Sequence, residues 1–389
     1  MLHARSAGFI LEGNARSVKI PVEIQNNIIL IPLRINGSVE MNFILDTGVK
    51  TTILTEPMVA NLLNLNVLER IRVRGLGDGE AIEAVLARNV SMKLPGVYGA
   101  GINLVVLPQG VISYSGMFGK PVFGIIVYEL FGQFVVEINY HHKYIRLHDP
   151  IRYQYRGRAV QVPIEIQKSK PYVSATLEMK DGKKIKARWL LDTGASQALS
   201  MFSREMQPPA HSIDAFLGKG LSGNVYGKLG RVKGFEIGGF FLEGVIAGFP
   251  DSTSLSLLPD EISWYGNLGA AVLSRFHVIF DYNGKRLILK KNSAFRTPFN
   301  YNISGIELYA HGQAFNEFLI SYVRPNSPAA RAGLQVNDEI ISLNGFATEN
   351  LNINSMYNGL EKRAGSTISV RIRRGEEIFK SKFKLESEI

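Results

Sequence analysis

Two acidic residues in matched settings carry the chemistry open to this chain. Asp46-Thr47-Gly48 closes the apolar run Phe43-Ile44-Leu45, and Asp192-Thr193-Gly194 closes Trp189-Leu190-Leu191. A strand running into Asp-Thr-Gly delivers its carboxylate to a tight turn, where a glycine without Cβ lets a second backbone approach closely. Two such turns set face to face hold their acids a few ångströms apart. Both cannot ionise cheaply there, so one proton is shared and the pair titrates in two macroscopic steps. The ionised member then draws a proton from water while the protonated member donates one: general acid–base chemistry that needs neither a metal nor a covalent intermediate. Surroundings decide which member begins protonated, so Asp46 and Asp192 are assigned jointly.

A lone Asp-Thr-Gly is an ordinary β-turn sequence, and about a tenth of one such triplet is expected by accident in a chain of this length. Its duplicated context sets this pair apart. The aspartates stand 146 positions apart, at 46 and 192; Gly75-Leu76-Gly77 and Gly220-Leu221-Ser222 follow at a spacing of 145, as do the glycines of Val122-Phe123-Gly124 and Asn267-Leu268-Gly269. Each of the last two is followed by an alternating strand, Phe134 to Tyr140 and His277 to Tyr282. Upstream, Ile31 to Asn42 parallels Val173 to Arg188, with hairpin turns at Asn36-Gly37 and Asp181-Gly182. Two copies of one β-rich unit therefore lie in tandem.

Over residues 20 to 292 these motifs resemble the pepsin and retropepsin type of aspartic peptidase. The resemblance implies a mostly β, bilobal, double-ψ β-barrel-like fold, with lobes at 17–155 and 156–292 and Asp46 and Asp192 as the catalytic pair. It implies that Thr47 and Thr193 hydrogen-bond across the dyad, that Gly48 and Gly194 shape its turns, and that Ser196 places a hydroxyl on the outer carboxylate oxygen. Gly75, Leu76 and Gly77, with Gly220 and Leu221 opposite, take the place of the substrate-covering flap; Gly124 and Gly269 take that of the ψ-loop glycines. Asn267 departs from the usual apolar residue. Lys50 departs from the hydroxyl expected in the first copy: turned inward it depresses the pair's pKa, and turned outward it is an ordinary solvated lysine. Tyr226 is a packing residue that also lies within reach of the cleft.

Composition excludes other chemistries. The 389 residues, 46% apolar and 20% charged, suffice for two or three packed domains. The absence of cysteine removes disulfides, thiol nucleophiles and thiolate metal sites. The seven histidines are scattered, and only His141-His142 are adjacent, so no metal and no other cofactor is expected. Gly75 to Gly79 has no following Gly-Lys-Ser/Thr and is not a phosphate loop. Residues 297 to 389 hold ten basic and ten acidic side chains, so the net charge of +10 arises earlier. It is dispersed in short clusters such as Lys168 to Lys170 and Lys183 to Lys186, with no patch sized for nucleic acid. Gly110 to Ile138, broken by Lys120 and Glu129, is too polar for a membrane span. No signal peptide is visible at the start, and a bacterial cell-envelope or secreted location is expected from the resemblance alone.

Asn292 to Asn302 breaks strand and helix patterns and serves as a linker. Beyond it a small α+β unit at 300–389 is expected, with strands Glu317 to Val323, Thr367 to Arg373 and Glu377 to Leu385 and a helix at Asn354 to Arg363. Ser327-Pro328-Ala329, Ala332-Gly333-Leu334 and the run Asp338 to Gly345 resemble a PDZ domain, whose peptide-binding loop falls at Ser304-Gly305-Ile306. Such domains take an extended peptide as an added strand; Ser304 replaces the usual apolar residue before the glycine. Three functions follow: an endopeptidase whose PDZ domain binds peptide or protein substrates, a catalytically silent peptidase-like peptide binder, and a scaffold working through its PDZ domain. With both aspartates in one chain, a monomer suffices.

Overall fold

The computed structural model describes residues 8–203, 205–256, 258 and 263–389. Strands dominate, and the longest described helix, Ile353–Leu360, has eight residues. No described helix is long and apolar enough to cross a membrane.

Each copy of the repeat is built on the same crossing of short strands. In the first, Met41–Leu45 runs parallel to Gly124–Ile126, which is antiparallel to Thr52–Leu54, itself parallel to Val97–Val106. In the second, Lys184–Asp192 runs parallel to Gly266–Gly269, which is antiparallel to Leu199–Met201, itself parallel to Ile246–Pro250. Phe43, Leu45, Trp189, Leu191 and Leu268 are fully buried, because strands covered on both faces read as continuous apolar runs. The hairpins feeding these strands turn at Asn36-Gly37 (φ +47° and +77°) and at Gly182 (φ +89°), the left-handed conformations such turns demand.

The two copies meet in a shared antiparallel sheet of six strands. Its order is Val160–Gln167, Arg286–Lys291, Phe276–Asp281, Val135–Asn139, Tyr144–His148, Ser17–Pro21. The central pair, Val135–Asn139 with Phe276–Asp281, takes one strand from each copy. Val136, Ile138, Val278 and Phe280 are fully buried, each contributing about 1.5–3 kcal/mol. On the opposite face of the central pair, across from Ile279, a carboxylate is buried, Glu137. It accepts from Tyr144 (3.0 Å) and pairs with His148 of its own copy (2.8 Å) and His277 of the other (2.9 Å).

The C-terminal unit carries its own sheet, in the order Ile306–His311, Glu317–Val323, Glu339–Leu343, Thr367–Arg374, Glu377–Lys384. Its core includes Leu308, Phe318, Ile340 and the helix residues Ile353, Met356 and Leu360. The helix expected to reach Arg363 stops at Leu360. The first strand, Ile306–His311, is not among the sequence expectations, because its alternation of Ile306, Leu308 and Ala310 ends at Gly312. The segment expected as a linker is pinned: Arg275 donates to the carbonyls of Ala294, Thr297 and Pro298 and lies over the Phe299 ring. The unit also packs on both copies. Tyr309 covers Gly116, Ile353 touches Gly119, and Tyr322 lies 5.8 Å from Phe216 and 6.1 Å from Tyr226 between ring centroids.

Glu137 thus ties the shared sheet together through groups from both copies. Burial opposes its ionisation, but the hydrogen bonds from His148, His277 and Tyr144 outweigh it and hold the carboxyl well below the usual glutamate range. A depressed pKa contributes stability that is present above the unfolded value and lost as pH falls through the folded one. Glu137→Gln is therefore expected to cost about 3 kcal/mol at neutral pH and to flatten the loss of stability on acidification below about pH 4, as read by urea unfolding at several pH values. An unchanged midpoint at pH 7 would contradict this.

Candidate active site

The two triplets face each other where the copies meet. Thr47 Oγ1 donates to the carbonyl of Leu191 (2.7 Å) and accepts from the amide of Thr193 (3.0 Å). Thr193 returns both bonds, donating to Leu45 O (2.8 Å) and accepting from the Thr47 amide (3.1 Å). All four are buried, so neither threonine is satisfied without its twin.

This clasp sets Asp46 and Asp192 across from one another, 8% exposed each. A Cβ on Gly48 would touch the Asp192 carboxyl at 3.0 Å, and one on Gly194 would overlap that of Asp46. The triplet glycines are needed for this close approach. The two acids act on one another: burial and then the Asp192 charge hold Asp46 well above the usual carboxylate range. Burial also raises Asp192, against the pull of Lys170, the Gly194 amide, Asp46 and Asn267. Asp46 Oδ1 accepts from Gly48 N (2.5 Å); Asp192 Oδ1 accepts from Gly194 N (3.0 Å) and Ala195 N (3.1 Å), and its Oδ2 from Asn267 Nδ2 (2.5 Å).

Two expectations change here. Ser196 is exposed, and the outer oxygen of Asp192 is held by Asn267 instead. Gly124 and Gly269 are not equivalent. Gly124 pairs with Phe43, three residues before Asp46, whereas Gly269 pairs with Asp192 itself; the residue pairing three before Asp192 is Gly266. A Cβ on Gly124 would strike Ile53 O, and one on Gly266 would strike Ser200 O, which confirms the match. Gly269 instead abuts the carbonyls of Gln197 and Ala195, and the first copy has Val127 at its place. By this register Asn267 answers to Ile125, a match hidden by the equal 145-residue spacing of the two glycines.

Lys50 is exposed. The lysine that acts on the dyad is Lys170, whose charge lowers both carboxyls. It opens the strand Lys170–Glu178, which pairs with Lys184–Asp192, so topology brings it inward and its place in a surface-like cluster concealed it. Tyr114 also went unread. Burial, then Asp46 and Asp192, push its hydroxyl above the usual range, which places it within electrostatic reach of both acids.

Two hairpins meet at their tips, Val67–Val73 with Ile82–Leu94 and Ser212–Gly220 with Gly223–Arg231. Gly75 N donates to Ser222 Oγ (3.1 Å), Gly79 N to Ser222 O (2.7 Å), Asp78 N to Asn224 O (3.0 Å), and Ser222 N to Leu76 O (3.0 Å). A Cβ on Gly77 (φ +136°) would come within 2.5 Å of the Ser222–Gly223 backbone, one on Gly75 within 2.8 Å of Leu221, and one on Gly220 would overlap Leu76 O. These glycines serve backbone-to-backbone contact, beyond what a turn alone requires. Tyr226 accepts from Asn224 Nδ2 (3.2 Å) and packs against Phe216 and Tyr322 midway along its hairpin.

In the C-terminal unit Gly305 has φ +86° and lies against Ser327. The Ser304 amide and hydroxyl are both bonded to Asn302 Oδ1, and the Ile306 amide faces Ser304 Oγ (3.5 Å). Tyr357 of the helix reaches across to the edge strand, accepting from Leu308 N (3.1 Å) and donating to Glu307 (3.0 Å). Burial, with the nearby Glu361 charge adding to it, pushes the Glu307 carboxyl up to about 7. Among the described residues no group of three or more His, Asp or Glu side chains is placed to hold a metal.

Residues 31–122 match the family model described as aspartyl protease, and residues 319–374 match that of the PDZ domain. Among solved structures, the aspartic proteinase from Irpex lacteus aligns over 72% of this chain and 98% of its own, at 14% identity and a TM-score of 0.44. The photosystem II D1 C-terminal processing protease aligns over 21% of this chain and 22% of its own, at 20% identity and a TM-score of 0.20. No curated protein matches. The aspartyl protease match contains Asp46 and the first hairpin tip; Asp192 lies beyond it and joins the site through the threonine clasp. One largely β polypeptide therefore joins an aspartyl-protease unit to a C-terminal PDZ domain.

Proposed function

We propose that the chain is an aspartic endopeptidase, with lobes at 17–155 and 156–292 and a PDZ domain at 300–389 that binds peptide or protein substrates. The observation that carries this is the buried pair Asp46 and Asp192, each carboxyl set against the other's triplet glycine within the reciprocal Thr47–Thr193 clasp. Water held between the carboxyls loses a proton to the ionised member and attacks the peptide carbonyl. The protonated member polarises the carbonyl oxygen and later helps protonate the leaving amine. The substrate lies extended beneath the paired hairpin tips, which must part to admit it and close to exclude water. Because one chain supplies both acids, the site is complete in a monomer.

The PDZ domain suits an internal extended segment better than a free C-terminus. The Ser304 and Ile306 amides are bonded from within the loop, and the Glu307 carboxyl bonds its Asn302. Its contacts on the Gly116–Gly119 turn and on Phe216 and Tyr226 bring that peptide site next to the cleft.

Asp46→Asn and Asp192→Asn are each expected to cut the hydrolysis of an unstructured protein substrate by on the order of a thousandfold while the far-ultraviolet dichroism stays native. Cleavage that survives Asp192→Asn would rule out the assignment. A wild-type chain that binds such substrates without cutting them would mark a silent peptide binder.

At the hairpin tips, Gly77→Ala places a methyl against backbone in a conformation L-residues avoid. It should lower kcat/KM by about tenfold, with little change in the unfolding midpoint. A variant as active as the parent would show that the tips need not meet during turnover.

A further inference from the structure

The two copies differ at one position that touches the reacting groups. Asn267 and Ile125 occupy equivalent places: Asn267 pairs with Leu190 and Ile125 with Ile44, each two residues before its aspartate. Both are buried, at 7% and 3% exposure. Asn267 Nδ2 lies 2.5 Å from Asp192 Oδ2, whereas an isoleucine offers Asp46 no hydrogen bond. Asp192 therefore receives three donors, Gly194 N, Ala195 N and Asn267 Nδ2; the one amide donating to Asp46 among the described residues is that of Gly48.

The orientation of the amide follows from its own needs. As placed, its Oδ1 is buried without a partner. Turned over, it would leave two buried N–H groups without an acceptor and require Asp192 to carry the proton. One orphan acceptor is the smaller penalty.

We infer that Asn267 is a positioning residue that fixes the negative charge on Asp192 and leaves the shared proton on Asp46, making Asp192 the base toward water and Asp46 the acid toward the carbonyl. This rests on the peptidase reading only for the word base; the charge assignment stands on geometry. The other groups facing the dyad act on both members or stay neutral. Lys170 lowers both carboxyls, and Tyr114 and Tyr282 are held protonated, mainly by burial. Asn267 thus resolves a choice that Lys170 does not.

The test is a carbon-13 carboxyl titration of the full chain labelled at aspartate, with the two resonances identified from the Asp46→Asn and Asp192→Asn variants. In the parent, Asp192 ionises first. In Asn267→Leu, close to the amide in size, the first ionisation should rise by about one pH unit, and the acid limb of any cleavage profile should rise with it. In the exchanged chain, Asn267→Ile with Ile125→Asn, Asp46 should ionise first and cleavage should persist. The exchange keeps the composition of the core, so it remains informative if Asn267→Leu folds poorly. A parent in which Asp46 ionises first, an unmoved first step in Asn267→Leu, or an exchanged chain that still ionises Asp192 first overturns the inference. Should the parent cut no substrate, the peptidase reading fails while the titration still decides the role of Asn267.

Discussion

Two carboxyl groups buried within hydrogen-bonding reach of each other are the constraint that organises this molecule. Removing a carboxylate from water costs several kcal/mol even after relaxation, and two like charges in one site would double the problem. Sharing one proton leaves a single charge, and converging N–H groups with Lys170 at a distance meet it. The Thr47–Thr193 clasp fixes the separation on which that sharing depends. Each of its four buried bonds contributes roughly 1 kcal/mol when made, and parting the copies would orphan all of them. The clasp therefore favours association of the copies as well as the register of the acids, and the six-stranded shared sheet supplies the apolar burial behind it.

The same demand for close approach explains where glycine appears. Gly48 and Gly194 admit the opposite carboxyl, while Gly75, Gly77 and Gly220 admit the backbone of the opposite hairpin. Contact between the tips consequently rests largely on main-chain groups. The second hairpin is braced midway along its length by Phe216 and Tyr226 against Tyr322 of the PDZ domain, and the first copy is braced through Gly116 against Tyr309. One small domain therefore touches a wall from each copy. The pinning of residues 294 to 299 by Arg275 limits how far that domain can travel.

Much of this was legible in the sequence because duplication is a pattern the eye can align. The triplets, the Gly-rich tips and the Asn36-Gly37 and Asp181-Gly182 turns mark positions where backbone geometry leaves few alternatives. Failures occurred where position along the chain and position in space part company. Gly124 and Gly269 share a spacing but not a register, because the first copy holds four more residues between Asp46 and Gly124 than the second holds between Asp192 and Gly266. Lys170 reads as one member of a solvated cluster, and only the pairing of its strand with Lys184–Asp192 turns it toward the acids. Ser196 has the right chemistry at the right spacing, yet it is exposed and Asn267 holds the oxygen instead. Tyr114 leaves no periodic trace, since it stands outside any strand, just before the short helix Ser115–Phe118.

A duplicated scaffold poses a problem that its own symmetry cannot solve. Identical environments would leave the shared proton equally placed on either acid. A donor on one side facing a hydrocarbon on the other is a small change that makes the two acids unlike in proton affinity. Asn267 against Ile125 is such a change. It alters no strand and leaves the threonine clasp intact, and its cost is one unsatisfied carbonyl oxygen. A polar residue with a half-met valence in an otherwise apolar strand is poor packing by any structural standard, so its presence beside Asp192 is better explained by the charge it directs than by the core it fills.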